Sequence, residues 1–156
     1  MVFDVYERMK QAGIVIPPPP PPGGLYTPAR PFARQLVYTS GCGPQVDGVP
    51  MYTGKVGREL TLEQGQQAAR ACMLNVLSVL QARIGDLNQV RQVVKVLGFV
   101  ACDDTFYDHP AVLNAASQLL MDIFGDDAGR AARSAIGTNV LPGNIPVEIE
   151  AVFELR

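Results

Sequence analysis

Between Thr61 and Ile84 the chain spells out one long amphipathic helix, and few folds can house it. Apolar side chains recur at Ala69, Cys72, Met73, Val76, Val79 and Leu80, the i, i+3, i+4 spacing of a single buried stripe. Thr61 and Gln64 have the spacing of a capping box, and Gly85 supplies the stop. At about 1.5 Å per residue such a helix runs roughly 36 Å, so a sheet or a second helix must lie beneath it.

The remaining segments supply that sheet. Arg34–Ser40 is a β-branched and aromatic strand candidate, and a weaker one spans Val49–Val56. Val90–Val100 reads as a long strand, apolar on both faces toward its end. Pro110–Phe124 is a second amphipathic helix, with Val112, Ala115, Ala116, Leu119, Leu120 and Ile123 on its stripe. Ala131–Val140 is a strand candidate. Leu141–Asn144 is a turn, and Val147–Leu155 alternates strictly, with Glu148, Glu150, Val152 and Glu154 on one side. The strand–helix–strand order implies a parallel crossover, and the last two strands an antiparallel hairpin. The expected class is α+β: a mixed β-sheet with two long helices on one face, its other face left for further subunits to cover. Ahead of this domain, residues 1–23 hold a short helix at Val2–Gln11 and six consecutive prolines, Pro17–Pro22. These prolines read as an extended spacer.

Composition narrows the function. Fifteen acids against thirteen bases give a net charge of −2, with no basic run, so nucleic-acid binding is disfavoured. No segment approaches the roughly 20 apolar residues of a membrane span, and the charged N-terminus is no signal peptide. Three cysteines without a CxxC, and one histidine, argue against a zinc site and for thiols in a reducing cytoplasm. His109 and the nearby Asp103, Asp104 and Asp108 read as surface and turn residues at the approach to a helix.

Two charged residues interrupt apolar strands. Arg133 stands in Ala131–Ala135, and Glu148 in Pro146–Ile149. A hairpin closed at Leu141–Asn144 would set them side by side on one face. A guanidinium holds a carboxylate through two parallel hydrogen bonds, and a nearby carboxylate can deprotonate a water. On spacing alone an ordinary cross-strand ion pair would do as well.

Several segments resemble the reactive intermediate deaminase family (Rid, YjgF-like, with the older label endoribonuclease L-PSP), in its longer, N-terminally extended branch. They are Gly24-Leu25-Tyr26, Tyr38–Gly41, the long helix with Asn75 and Leu80, Val90–Val100, and Asn114 on the second helix. Ala132-Arg133-Ser134, Leu141-Pro142 and Val147–Ala151 complete the set, so the resemblance runs from about Gly24 to the C-terminus. It implies a chorismate-mutase-like fold and a homotrimer with an inner barrel and clefts between subunits. It also implies hydrolysis of enamines and imines to 2-oxo acids and ammonia, without metal or cofactor. In that pattern Arg133 grips the carboxylate of a small 2-imino or 2-oxo acid and Glu148 activates water. Tyr26, Ser40, Asn114 and Ala135 line the cleft. Cys42, Ala131 and Ala135 depart from the family's usual residues, and Cys42 reads as a small residue in a turn, with a reactive thiol as the alternative. A carboxylate-binding trimer without turnover, a ribonuclease and a chorismate-mutase-type rearrangement are the alternatives.

Overall fold

The computed structural model describes residues 4–156. Helix α1 spans Val5–Gln11, capped by the Asp4 side chain, which accepts from the Tyr6 N–H. The expected helix began at Val2, and residues 1–3 lie outside the described residues. Strands β1 (Ala29–Phe32) and β2 (Leu36–Thr39) form an antiparallel hairpin. The weak strand expected over Val49–Val56 shrinks to a two-residue ladder between β3 (Gln45–Val46) and β4 (Val49–Pro50). Helix α2 (Leu62–Ile84) follows, and its capping box forms as read: Thr61 Oγ1 accepts from the Gln64 N–H, and Gln64 Oε1 from the Thr61 N–H. Then come β5 (Val90–Ala101), α3 (His109–Phe124), the short α4 (Asp126–Gly129), β6 (Ala132–Thr138) and β7 (Val147–Leu155).

The five-stranded sheet is mixed, in the order β1-β2-β7-β5-β6. Helices α2 and α3 pack against each other and on one sheet face. Between them and the sheet lies one core, with Met73, Leu77 and Leu80 of α2, Leu113, Leu119 and Leu120 of α3, and Ile149 and Phe153 of β7. Val5, Met9 and Ile14 belong to the same cluster, which fixes the N-terminal segment to the domain. Gly98 is set by this packing: a Cβ there would strike Leu113. The opposite sheet face carries no helix. It presents Leu97, Phe99 and Val152 half-buried, with Tyr38 and Ile136 exposed at 42% and 47%.

One expectation is overturned. The last two strands are not a hairpin. β6 pairs in parallel with β5, as the crossover through α3 requires, while β7 pairs antiparallel with β5 on the other side. The reason lies in their patterns. β7 alternates fully, with Val147, Ile149, Ala151 and Phe153 buried, so it takes the centre of the sheet between β2 and β5. β6 has no fully buried residue and takes the edge. The turn at Pro142–Asn144, with positive φ at Gly143 and Asn144, carries the chain past the end of β5 instead of folding it back on β6.

Candidate functional site

Register decides where the two charged residues point. Arg133 pairs with Val96, which pairs with Ala151, and all three share the helix-covered face. Glu148 pairs with Phe99, which pairs with Ile136, on the open face. The expectation that Arg133 and Glu148 share a face is therefore corrected. They stand on opposite faces, on strands separated by β5, so within one chain they belong to two separate clusters.

The first cluster is built on β6 and α3. Arg133 Nη1 donates to Asn114 Oδ1 and to Ser117 Oγ, both at 3.0 Å. Asn114 and Ser117 are three apart on α3, so they present their acceptors on one side of the helix. Among the described residues Arg133 makes no ion pair, and its other nitrogens have no acceptor. Partial burial alone lowers its pKa, and the group stays charged. It is a guanidinium oriented by neutral groups with donors to spare, the arrangement of an anion receptor. Ala135 lies two residues on along the same face, half-buried, opposite Gly98.

The second cluster is built on β7, the Ser40–Gln45 segment and the proline run. Glu148 faces a cavity of about 550 Å³ that it shares with Tyr26, Ser40, Gly41, Cys42 and Pro20–Gly23. Ser40 Oγ donates to the Thr27 carbonyl at 2.7 Å, which ties the segment before Ala29 to the end of β2. Cys42 and Ile149 form a backbone bridge beside Glu148. Gly41 lets the backbone approach the Glu148 carboxylate closely: a Cβ there would push that carboxylate aside. Asn75, buried on α2, donates to the carbonyls of Gly43 and Gln45, both at 2.9 Å, and so pins this segment from behind. Glu148 itself is half-buried and, among the described residues, makes no ion pair and accepts no hydrogen bond. Burial first, and the charge of Glu150 second, push its carboxyl above the usual carboxylate range.

Of the residues singled out in the sequence, the structure thus gathers Tyr26, Ser40 and Glu148 at one place, and Arg133, Asn114 and Ala135 at another. The proline run is more than a spacer, since three of its members line the Glu148 cavity. The sequence reading misses Ser117, although it is the i+3 neighbour of Asn114. Gly41 is legible as a turn and motif residue, but nothing local marks its closeness to Glu148. The Cys42 thiol is buried and pushed up to about 12, by burial first and by the Glu148 charge second. It is a protonated thiol at neutral pH, in keeping with its reading as a small residue in a turn. The surface reading of His109 is corrected. It is half-buried, with Nε2 3.3 Å from Cys102 Sγ and its ring edge-on to Phe106. Among the described residues no group of three or more His, Cys, Asp or Glu could hold a metal ion. No helix there is long and apolar enough to cross a membrane.

Known proteins share this architecture. Residues 6–154 match the family described as "YjgF/chorismate mutase-like, putative endoribonuclease". Protein TCP17 of Trypanosoma cruzi is 39% identical over 152 residues, which cover 97% of this chain and 94% of that protein. The crystal structure of Atu1372 from Agrobacterium tumefaciens, a protein of unknown function, superposes with a TM-score of 0.89 at 36% identity. That match covers 97% of this chain and 92% of Atu1372. A Shewanella oneidensis MR-1 protein described as "a putative endoribonuclease" superposes with a TM-score of 0.92 at 30% identity, over 97% of this chain and 99% of its own. With nearly its whole length matched in sequence and in fold, the chain belongs to the YjgF/chorismate mutase-like family.

Proposed function

We propose that the chain hydrolyses reactive imines and enamines of small carboxylic acids, in clefts formed where copies of it meet as a homotrimer. The observation that carries this reading is the pair of uncompensated charges. A half-buried carboxylate and an ion-pair-free guanidinium stand on opposite sheet faces, each aimed at something the chain itself does not supply. A partly buried charge left unpaired is costly, so such groups persist where a partner or ligand completes them. A neighbouring copy answers both needs. Its Arg133 edge, set against the Glu148 cavity, makes one site holding a cation and a base. The helix-free face, with Leu97, Phe99, Val152 and Ile136, and the unpaired edge of β6 are the surfaces such an assembly covers.

The chemistry follows from the two groups. Arg133 of one copy binds the substrate carboxylate through paired N–H donors and so fixes the adjacent imine carbon. Glu148 of the next copy removes a proton from a water as its oxygen attacks that carbon. The C=N bond becomes C–N in a tetrahedral carbinolamine. The proton returns to nitrogen, the C–N bond breaks, and ammonia leaves as the C=O bond of the 2-oxo acid forms. An enamine enters the same path after protonation at its β-carbon gives the imine. No electrons are exchanged, and water supplies the oxygen.

The test is to generate 2-aminoacrylate with a serine dehydratase and to follow its disappearance. The protein should accelerate the loss over buffer. Arg133→Ala should remove the acceleration through a raised KM, and Glu148→Gln through a lowered kcat. No acceleration by the unmodified protein would reject the reading.

A further inference from the structure

The proline run stands where it can choose the substrate. Pro17–Pro22 leaves α1, and its first carbonyl accepts from the buried Ser78 hydroxyl of α2 at 2.6 Å. At its far end the Gly23 N–H donates to Tyr26 Oη at 2.9 Å. Between these anchors Pro20, Pro21 and Pro22 form one wall of the Glu148 cavity. Behind Pro19–Pro21, against Val79, Ala82 and Arg83, is a second cavity of about 400 Å³. The segment is therefore a wall one chain thick, with space on both sides. Proline suits such a wall, because it has no N–H to satisfy and its φ is fixed.

The cavity's lining is mostly apolar. Glu148, Ser40 and Gln45 bring polar side chains to it, and Pro20–Pro22, Tyr26, Pro28 and Ile145 are among the residues that complete it. Among the described residues Glu148 is the single charged side chain that lines it, and no cation does. A substrate carboxylate cannot be held there and must face a guanidinium from outside. What enters beyond the reacting carbon is the substrate's side chain, uncharged and apolar.

Building on the deaminase reading, we infer that Pro20–Pro22 and Tyr26 form a specificity wall, and that the preferred substrates are imines of 2-oxo acids with branched aliphatic or aromatic side chains. The wall acts on binding of the side chain and leaves proton transfer to Glu148.

An L-amino-acid oxidase supplies the imines of alanine, leucine and phenylalanine, and semicarbazide traps what the protein leaves behind. The kcat/KM for the leucine and phenylalanine imines should exceed that for the alanine imine by about 10-fold or more. The combined Pro20→Gly, Pro21→Gly, Pro22→Gly variant keeps the Ser78 anchor and should bring the ratio to within about threefold, mainly through KM. Pro21→Gly alone, a milder change, should lower the ratio in the same direction. Calorimetric binding of pyruvate and 4-methyl-2-oxopentanoate to the full-length protein gives a readout independent of turnover. Turnover without a size preference overturns the wall and leaves the deaminase standing. Tighter binding of the larger acid, lost in the glycine variants and without turnover of any imine, upholds the wall and removes the deaminase. A preference kept intact in the glycine variants overturns the wall.

Discussion

Glu148 owes its character to a burial that stops short of complete and to one like-charged neighbour. Both disfavour its ionised form and raise its pKa. The sign for catalysis is direct. A base must be deprotonated to work, so the acid limb of the kcat/KM profile should lie above the range of an exposed glutamate, with activity lost as pH falls through the raised pKa. Glu150 lies on the same side of β7, and Tyr38 Oη donates to its Oε1 at 2.6 Å. Glu150→Gln keeps an acceptor for Tyr38 and deletes the charge. The acid limb should then move to lower pH, as a series of rates across pH would show. An unmoved limb would mean that Glu148 is not the titrating base. Cys42, with its thiol pushed up to about 12, should resist iodoacetamide at neutral pH in the folded protein and react after unfolding in urea.

At the scale of elements, the site depends on two buried polar residues of α2. Asn75 holds the Gly43 and Gln45 carbonyls, and Ser78 holds the first proline carbonyl. Asn75→Ala leaves both acceptors of its segment without a donor and should cost about 1–3 kcal/mol. A lowered urea midpoint at unchanged slope would show it, together with reduced turnover as Gly41 moves from Glu148. The elements themselves were largely legible. A capping box, a stripe of apolar residues and strict alternation are local signals, and α2, α3, β5 and β7 lie within a residue or two of where those signals put them. Strand order is not local. The turn at Leu141–Asn144 looks like the end of a hairpin, yet the placement of β7 is settled by Val147, Ile149, Ala151 and Phe153, which need cover on both flanks. The strand β1, with proline and two positively charged or aromatic neighbours in Ala29–Phe32, carries no alternation to betray it. Arg133 and Glu148 were recognisable as misfits in apolar strands, but their opposite orientation depends on β5 lying between them.

For the whole molecule, the two clusters lead to a complementation experiment. Arg133→Ala and Glu148→Gln proteins are each expected to be inactive as pure assemblies. If the proposed trimer forms, then after the two are mixed, unfolded and refolded in equal amounts three-quarters of the trimers would be hybrids, and each hybrid would have one cleft with both groups intact. Activity should return to about a quarter of the unmodified level. Sedimentation would show the trimer in both variants and in the mixture. A mixture as inactive as its components would place the two groups outside any common cleft. Should the assembly form, its seams would cover the seven residues of β6, whose outer edge has no partner strand in one chain.

The separation of Arg133 and Glu148 across the thickness of a sheet would have a bearing on timing. On the proposed reading a freshly synthesised chain would finish folding with both groups in place and still be inert, because neither could reach what the other holds. Chemistry would switch on only at association, so the concentration of the protein itself would act as its own on-switch, and a lone copy diluted far from its siblings would do no harm to passing metabolites.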